Sequence, residues 1–290
     1  RLANLEAAAG NPALSIVEAD VADFDKIAPV FAGIDWVFHL AALADIVPSI
    51  RYPRRYHKAN VEGTVSVLEA ARTQGVRRFV YAASSSCYGL AEQVPTPEEA
   101  PIRPMYPYAL TKHVGEEYVL HWARVFKVPC LSLRLFNVYG PRSRTSGSYG
   151  AVFGVFLAQK LAGRPFTVVG DGSQTRDFTY VTDVCHAFLD ILKIKNFFGN
   201  TLNVGSNNEY TIEDIAKKVL AKLNSKANIK KEVQRTRSPN SEVVRLVCDN
   251  SKILKNTQWK PMIKIEKGLD MTINWYKKFK DLFKHDIYHV

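Results

Sequence analysis

Two side chains four residues apart, Tyr108 and Lys112, are the ones in this chain best suited to proton chemistry. They lie in Pro107-Tyr108-Ala109-Leu110-Thr111-Lys112, which reads as the start of a helix. Pro107 has no N–H to lose in a first turn. Val114, Tyr118, Val119, Trp122 and Phe126 then follow as an amphipathic run. Residues i and i+4 share a helix face, so the phenol stands beside the ammonium. A nearby positive charge favours phenolate and lowers the tyrosine pKa. Such a tyrosine can take a proton from a sugar or alcohol hydroxyl near neutral pH. Spacing alone does not decide this: the chain has 13 tyrosines, and Tyr276 and Lys280 repeat the pattern in a lysine-rich terminal helix that reads as a solvated face. The surroundings of Tyr108 set it apart. A strand-like run ends in serines before it (Phe79 to Ser86), and another follows its helix (Cys130 to Asn137).

The elements that must position these residues alternate. Residues 1–9 read as a helix end closed by Gly10-Asn11-Pro12. Leu14 to Asp20 reads as a strand, Phe24 to Phe31 as a short helix, and Trp36 to Ala42 as a nearly all-apolar strand of the kind buried in a parallel sheet. A helix over about 60–75, a strand over 78–84, the Tyr108 helix and a strand over 130–137 follow. This order argues for right-handed β-α-β units in a doubly wound sheet. Beyond Gly140-Pro141 the pattern loosens. It predicts a helix over 151–161, a strand over 166–169, a turn at Gly170-Asp171-Gly172 and a short strand over 177–181. Helix 184–192, strand 201–205, a helix opened by Thr211 with Asp214 three residues on, and a last helix over about 268–283 complete the chain.

At 290 residues and 47% hydrophobic, the chain can bury one large domain or two moderate ones. No apolar run is long enough to span a membrane and no signal peptide is visible. The scattered Cys87, Cys130, Cys185 and Cys248 have no spacing for zinc or a redox dithiol, and so read as reduced thiols of a cytoplasmic protein with no metal. The net charge of +11 is carried largely by lysines after residue 190 at helix-surface or loop spacings. No recognition motif accompanies it, so a solvated basic surface is expected rather than nucleic-acid binding.

A dinucleotide-binding sheet opens with a strand and a glycine-rich turn whose amides hold pyrophosphate. No such loop occurs here, and Gly10 and Gly33 are isolated. The expectation is that the first β-α-β unit, roughly 30 residues, is missing from this chain.

Taken together and in order, the motifs resemble the extended short-chain dehydrogenase/reductase family, most like its nucleotide-sugar 4-epimerases of the UDP-glucose or UDP-N-acetylglucosamine type. They are Asp20-Val21-x-Asp23, His39-Leu40-Ala41-Ala42, Asn60 with Gly63-Thr64, Ser84-Ser85-Ser86-Cys87-Tyr88-Gly89, and Tyr108 to Lys112. Arg134-x-Phe136-Asn137-Val138-Tyr139-Gly140-Pro141 and Gly170 to Phe178 complete the set. The resemblance implies a Rossmann-type parallel sheet in residues 1–141, with 178–210 packing back onto it. A smaller α/β substrate domain would be built from 142–177 and 211–290. It implies NAD as cofactor, with Asp20 and Val21 beside the adenine, or Asp20 as a helix cap. Leu40, Ala41 and Ala42 would let the cofactor approach, and Tyr108 and Lys112 would complete its site.

Tyr108, Lys112 and Ser84 form the expected catalytic set. Ser84 and Ser85 face the sugar, and Asn137, Arg176 and Arg237 contact the diphosphate, where a guanidinium fork suits phosphate. Arg176-Asp177 also reads as a structural ion pair. Leu246 falls near the family's gate position, where a residue smaller than tyrosine leaves room for an N-acetyl group. His39 and Asn60 are expected to be structural. The family's 4,6-dehydratases usually carry Asp-Glu where this chain has Ser85-Ser86, which argues against dehydration and for epimerisation of a UDP-sugar. A homodimer formed through regions 60–75 and 108–125, and a role in surface-polysaccharide precursor synthesis, are also implied. The competing readings are a UDP-glucuronate 4-epimerase or decarboxylase, a sugar dehydratase, and a non-catalytic nucleotide-sugar-binding protein.

Overall fold

The apolar runs of the first half form one parallel sheet because helices cover both its faces. The fold is that of a computed structural model, in which residues 2–143, 152–232 and 244–279 are described. In chain order the elements are α1 (Phe24–Ile27), β1 (Trp36–His39), α2 (Ile46–Arg51), α3 (Pro53–His57), α4 (Gly63–Thr73), β2 (Arg78–Ser84), α5 (Pro107–Val125), β3 (Cys130–Leu135) and β4 (Val138–Tyr139). Then come α6 (Val152–Leu161), β5 (Phe166–Val169), β6 (Thr175–Arg176), β7 (Thr179–Tyr180), α7 (Val181–Ile191) and β8 (Asn200–Val204). β9 (Tyr210–Thr211), α8 (Ile212–Lys222), β10 (Ile229–Glu232), β11 (Arg245–Leu246), α9 (Ser251–Asn256) and α10 (Ile265–Lys278) complete the chain.

The main sheet runs β1-β2-β3-β8, parallel throughout. Successive residues of β2 point to opposite faces. Phe79 and Tyr81 lie under Val67, Leu68 and Ala71 of α4 and Val119 of α5. Val80 lies on the other face with Leu131, Leu202, Ala187 and Ile191 of α7, and Ile253 and Trp259 around α9. The result is a three-layer α/β, Rossmann-type fold. Burying a side chain the size of Phe79 or Leu68 contributes about 1.5–3 kcal/mol, so packing rather than helix propensity fixes α5 on the sheet.

The remaining strands are short. β5 pairs with β10, β6 lies between β11 and β9, and β4 pairs with β7. Around them a second core gathers Tyr139, Phe153, Phe156, Phe166, Tyr180, Ile215, Leu269 and Tyr276. α8 begins where Thr211 Oγ1 accepts the Asp214 N–H at 2.9 Å, the cap expected from the sequence. Lys218 and Lys222 of α8 pair with Glu266 and Asp270 of α10, and Lys217 and Lys231 with Glu213, so part of the basic surface is internally neutralised. Among the described residues no helix is long and apolar enough to cross a membrane.

One expected strand is corrected and another is shortened. Leu14 to Asp20 is irregular, with Ile16 and Val17 more than half exposed. A strand needs a neighbour to take its N–H and C=O groups, and none of the described strands lies beside this segment. The strand expected over 177–181 is shortened to β7, with β6 just before it. Asp177 sits between them with its carboxylate turned to the amides of Ser206, Asn207 and Cys248.

Candidate active site

Ligands of open α/β sheets bind beyond the carboxyl ends of the strands, and that edge is where the candidate residues meet. Leu40, Ala41 and Ala42 follow β1, Ser84 ends β2 and Ser85 follows it, Asn137 lies just past β3, and Ser206 and Asn207 follow β8. Leu40 and Ala41 are exposed, Ala42 is half-buried and Ser85 is buried.

Ser84 accepts the Ser86 N–H at 3.2 Å, and its hydroxyl lies 2.8 Å from that of Ser86. The turn after β2 therefore fixes the Ser84 side chain, which lies near enough to the Tyr108 phenol to favour its charged form. Pro107 stands in the first turn of α5, so Tyr108 sits at the end of α5 that faces this edge. Lys112, one turn on, is 4% exposed. Its ammonium lies over the Tyr81 ring, 4.1 Å from the centroid.

The expectation of an acidified Tyr108 is corrected. Burial pushes the phenol up, the nearby Ser84 hydroxyl opposes this, and Asp45 and Cys87 add to it. Burial also lowers Lys112 to about 7, against the raising influence of Glu116. Helical spacing brought the two residues to one face, but enclosure penalises the charge of both, and the ammonium has turned to the Tyr81 ring.

Beneath them lies a buried polar bracket. Asn60, in the π-type turn Lys58–Glu62, accepts the Leu43 N–H at 2.7 Å and donates to the Leu43 carbonyl and to Thr111 Oγ1, both at 3.0 Å. It ties the segment after β1 to α5. His39 Nε2 lies 3.0 Å from Thr64 Oγ1, and burial together with the charge of Lys112 lowers its pKa to about 3. Both residues are structural, as their positions in the sequence suggest.

The proposed diphosphate and gate positions fall side by side. Arg176 of β6 pairs in register with Leu246 of β11. Leu246 is buried with Cys87, Tyr88 and Phe136, so it reaches the turn that carries Ser84. Asn137 donates to the Asp177 carbonyl at 3.2 Å. The Asp177 carboxylate accepts from the Ser206, Asn207 and Cys248 amides and from the Ser206 hydroxyl, while Arg176 donates to the Thr175 carbonyl. Asp20 is exposed and accepts the Ala22 N–H at 3.0 Å. Asp23, not Asp20, caps α1. Val21 packs against the start of α4, where a Cβ on Gly63 would meet its Cγ2 at 2.9 Å. Arg237 lies outside the described residues.

The family described as GDP-mannose 4,6 dehydratase matches residues 1–272. The chain belongs to this family. A putative UDP-glucose 4-epimerase of Methanocaldococcus jannaschii is 32% identical over 269 residues, 92% of this chain and 85% of that protein. Among solved structures, a UDP-N-acetylglucosamine 4-epimerase from Methanobrevibacter ruminantium in complex with UDP-N-acetylmuramic acid is 28% identical. It covers 93% of this chain and 84% of its own, with a TM-score of 0.86. A UDP-glucuronic acid 4-epimerase from Bacillus cereus, in complex with UDP-glucuronic acid and NAD, is 28% identical with a TM-score of 0.87, covering 95% and 85%. The resemblance drawn from the ordered motifs is borne out. The protein is an enzyme of the nucleotide-sugar epimerase/dehydratase family.

The donor set of this edge fits a dinucleotide. The Lys112 ammonium makes no hydrogen bond or ion pair among the described residues and stands ready to donate. Exposed Ala41 and half-buried Ala42 leave room for close approach.

Sequence reasoning missed three participants. Tyr81 holds the Lys112 ammonium by its ring and donates to the Lys112 carbonyl at 3.3 Å. Asp45, which raises the Tyr108 pKa, sits at φ 117°, a costly backbone conformation for a residue with a side chain. Glu116 pairs with Arg134 in the core. Only Glu116 left a signal, its position four residues beyond Lys112.

Proposed function

We propose that the protein interconverts the C4 epimers of a UDP-hexose or UDP-N-acetylhexosamine, with NAD as its cofactor. One juxtaposition carries the reading. The Ser84 hydroxyl and Tyr108 phenol lie near one another at the sheet edge, with buried Lys112 one turn beyond Tyr108, and positions 85 and 86 hold serines rather than carboxylates.

NAD, when bound, supplies the taking and returning of the C4 hydride. Lys112 would hold it, with Leu40, Ala41 and Ala42 allowing close approach and Asp20 and Val21 near the adenine. Tyr108 takes the 4-hydroxyl proton, relayed through Ser84, and returns it after the 4-keto sugar has turned its other face. Enclosure keeps Tyr108 a phenol by itself, so it acts as a base only when the Lys112 charge turns from the Tyr81 ring toward it. Asn137, Arg176 and Arg237 hold the diphosphate, and Leu246 bounds the sugar. Residues 1–141 with 178–210 form the cofactor half in this reading, and 142–177 with 211–290 the sugar half. A second copy is proposed to pack on the outer face of α5, where His113, Tyr118, His121, Arg124 and Phe198 line a groove.

The test is to incubate the protein with UDP-glucose and, separately, UDP-N-acetylglucosamine, and to follow the anomeric protons by NMR. Conversion to the galacto sugar without added NADH is expected, and Tyr108→Phe should abolish it. An unchanged rate in Tyr108→Phe would sink the mechanism, and a 4-keto product would establish a dehydratase. The likeness to the Bacillus cereus structure favours UDP-glucuronate as the second reading. A third incubation decides it, with a pentose product marking a decarboxylase.

A further inference from the structure

Glu116 and Arg134 lie outside the proton-transfer set, yet they are among the most enclosed charges of the described residues, 1% and 5% exposed. Arg134 Nη2 lies 2.9 Å from Glu116 Oε2, and its Nε donates to both carboxylate oxygens at 3.2 and 3.0 Å. The carboxylate is filled further by the hydroxyls of Ser132 of β3, at 2.6 Å, and Thr201 of β8, at 3.1 Å. The remaining fork nitrogen of Arg134 donates to the Tyr88 hydroxyl at 2.9 Å and to the Glu98 carbonyl at 3.0 Å. Tyr88 in turn donates to Asn203 at 2.7 Å.

The pair thus touches two segments that must keep a fixed separation. Glu116 lies on α5, one turn beyond Lys112 and two beyond Tyr108. Tyr88 closes the turn that begins at Ser84. A buried ion pair is weak evidence for stability, because its desolvation offsets its attraction. A fold could fill this volume with apolar side chains at no loss, so position is the more economical reason for it here.

We propose that Glu116 and Arg134 form a positioning pair of the active site: they lock the Tyr108–Lys112 helix to the Ser84 turn and place a buried carboxylate one turn from Lys112. The inference rests on the epimerase reading for its kinetic consequence only. Glu116 opposes the loss of charge that burial imposes on Lys112. The groups facing Lys112 are His39 of β1, Tyr81 of β2 and Glu116 of α5. Those facing Glu116 are Arg134 of β3 and His113 of α5, whose Nδ1 lies 3.5 Å away.

The experiment follows the 13Cε shift of Lys112 against pH in selectively labelled protein loaded with NAD, the signal being assigned by Lys112→Arg. Removing one buried unit charge a turn away in Glu116→Gln should lower the Lys112 midpoint by about one pH unit. The alkaline limb of kcat should fall with it, while KM for the UDP-sugar stays within about twofold, because the pair touches no substrate. Glu116→Asp keeps the charge and should return the midpoint to within about 0.3 unit. Ser132→Ala with Thr201→Val strips two donors from the carboxylate without changing its charge, and should lower the melting temperature with little change in midpoint. If Glu116→Gln does not fold, Glu116→Gln with Arg134→Met removes both charges and leaves no orphan. Its midpoint should fall too, by less. An unmoved Lys112 midpoint in the folded variant overturns the proposal and leaves the pair as packing. A midpoint that moves in a protein converting no UDP-hexose refutes the epimerase reading and leaves the positioning pair standing.

Discussion

Lys112→Met should stabilise the cofactor-free protein while destroying its activity, and the gain should depend on pH. Burial takes Lys112 from 10.5 to about 7. At about 1.36 kcal/mol per pKa unit, its charged form costs roughly 5 kcal/mol more in the fold than in the unfolded chain. At pH 6 the side chain is largely charged in both states and nearly all of that cost is present. Between pH 7 and 10.5 the unfolded chain binds the extra proton, so wild-type stability rises with pH. By pH 9 the remaining cost is about 2 kcal/mol. The Tyr81 ring offsets part of the charge cost, up to about 2 kcal/mol for a desolvated contact. The advantage of Lys112→Met should therefore narrow by about 1–3 kcal/mol from pH 6 to pH 9. Urea unfolding of both proteins at several pH values measures it. Parallel stability curves would refute the reasoning, since they would mean that Lys112 titrates alike folded and unfolded. The loss of activity, by roughly 10²-fold or more, should accompany the gain in stability, the usual trade at a functional site.

Gly115→Ala tests the seat of α5, because the added Cβ would lie 2.5 Å from the Tyr81 hydroxyl and 3.2 Å from the Asn60 carbonyl. Overpacking of about 1–3 kcal/mol less about 1 kcal/mol of helix propensity leaves a small stability loss. A shift of about 1 Å at Tyr108 should nonetheless lower kcat by roughly 10²-fold, and wild-type turnover would show that α5 has slack. Burial raises the Glu116 carboxyl, but the nearby His113 ring, hydrogen bonds from Arg134 and Ser132 and the Arg134 charge outweigh it and hold it at about 2 against the ordinary 4.5. Its contribution is present above pH 4.5 and lost as pH falls toward 2, so the stability gap between wild type and Glu116→Gln should shrink by about 2 kcal/mol from pH 7 to pH 3. Leu246→Tyr should lower kcat/KM for UDP-N-acetylglucosamine at least about tenfold more than for UDP-glucose. Equal losses would make Leu246 a packing residue of the Cys87–Phe136 cluster and nothing more.

The parallel sheet was legible because its strands are apolar on both faces: β2 and β3 read as buried runs whichever side they show. Leu14 to Asp20 looked the same locally, but a strand exists only where another lies beside it, and pairing is not a local property. The short strands β6, β9 and β11 left little signal, being two residues each, too brief for any periodicity.

For the site, the sequence by itself determined the residue types and the face on which Tyr108 and Lys112 lie, since i,i+4 spacing is a property of the helix alone. It also determined that Ser84 ends a strand and that no carboxylate follows it at positions 85 and 86. Only the tertiary structure decided their charge states. Burial, the Tyr81 ring and Glu116 act on Lys112 through space, and desolvation depends on what the rest of the chain encloses. The union of Arg176 with Leu246, and of Glu116 with Arg134, was likewise settled there, by strand register and by a helix closing over a sheet.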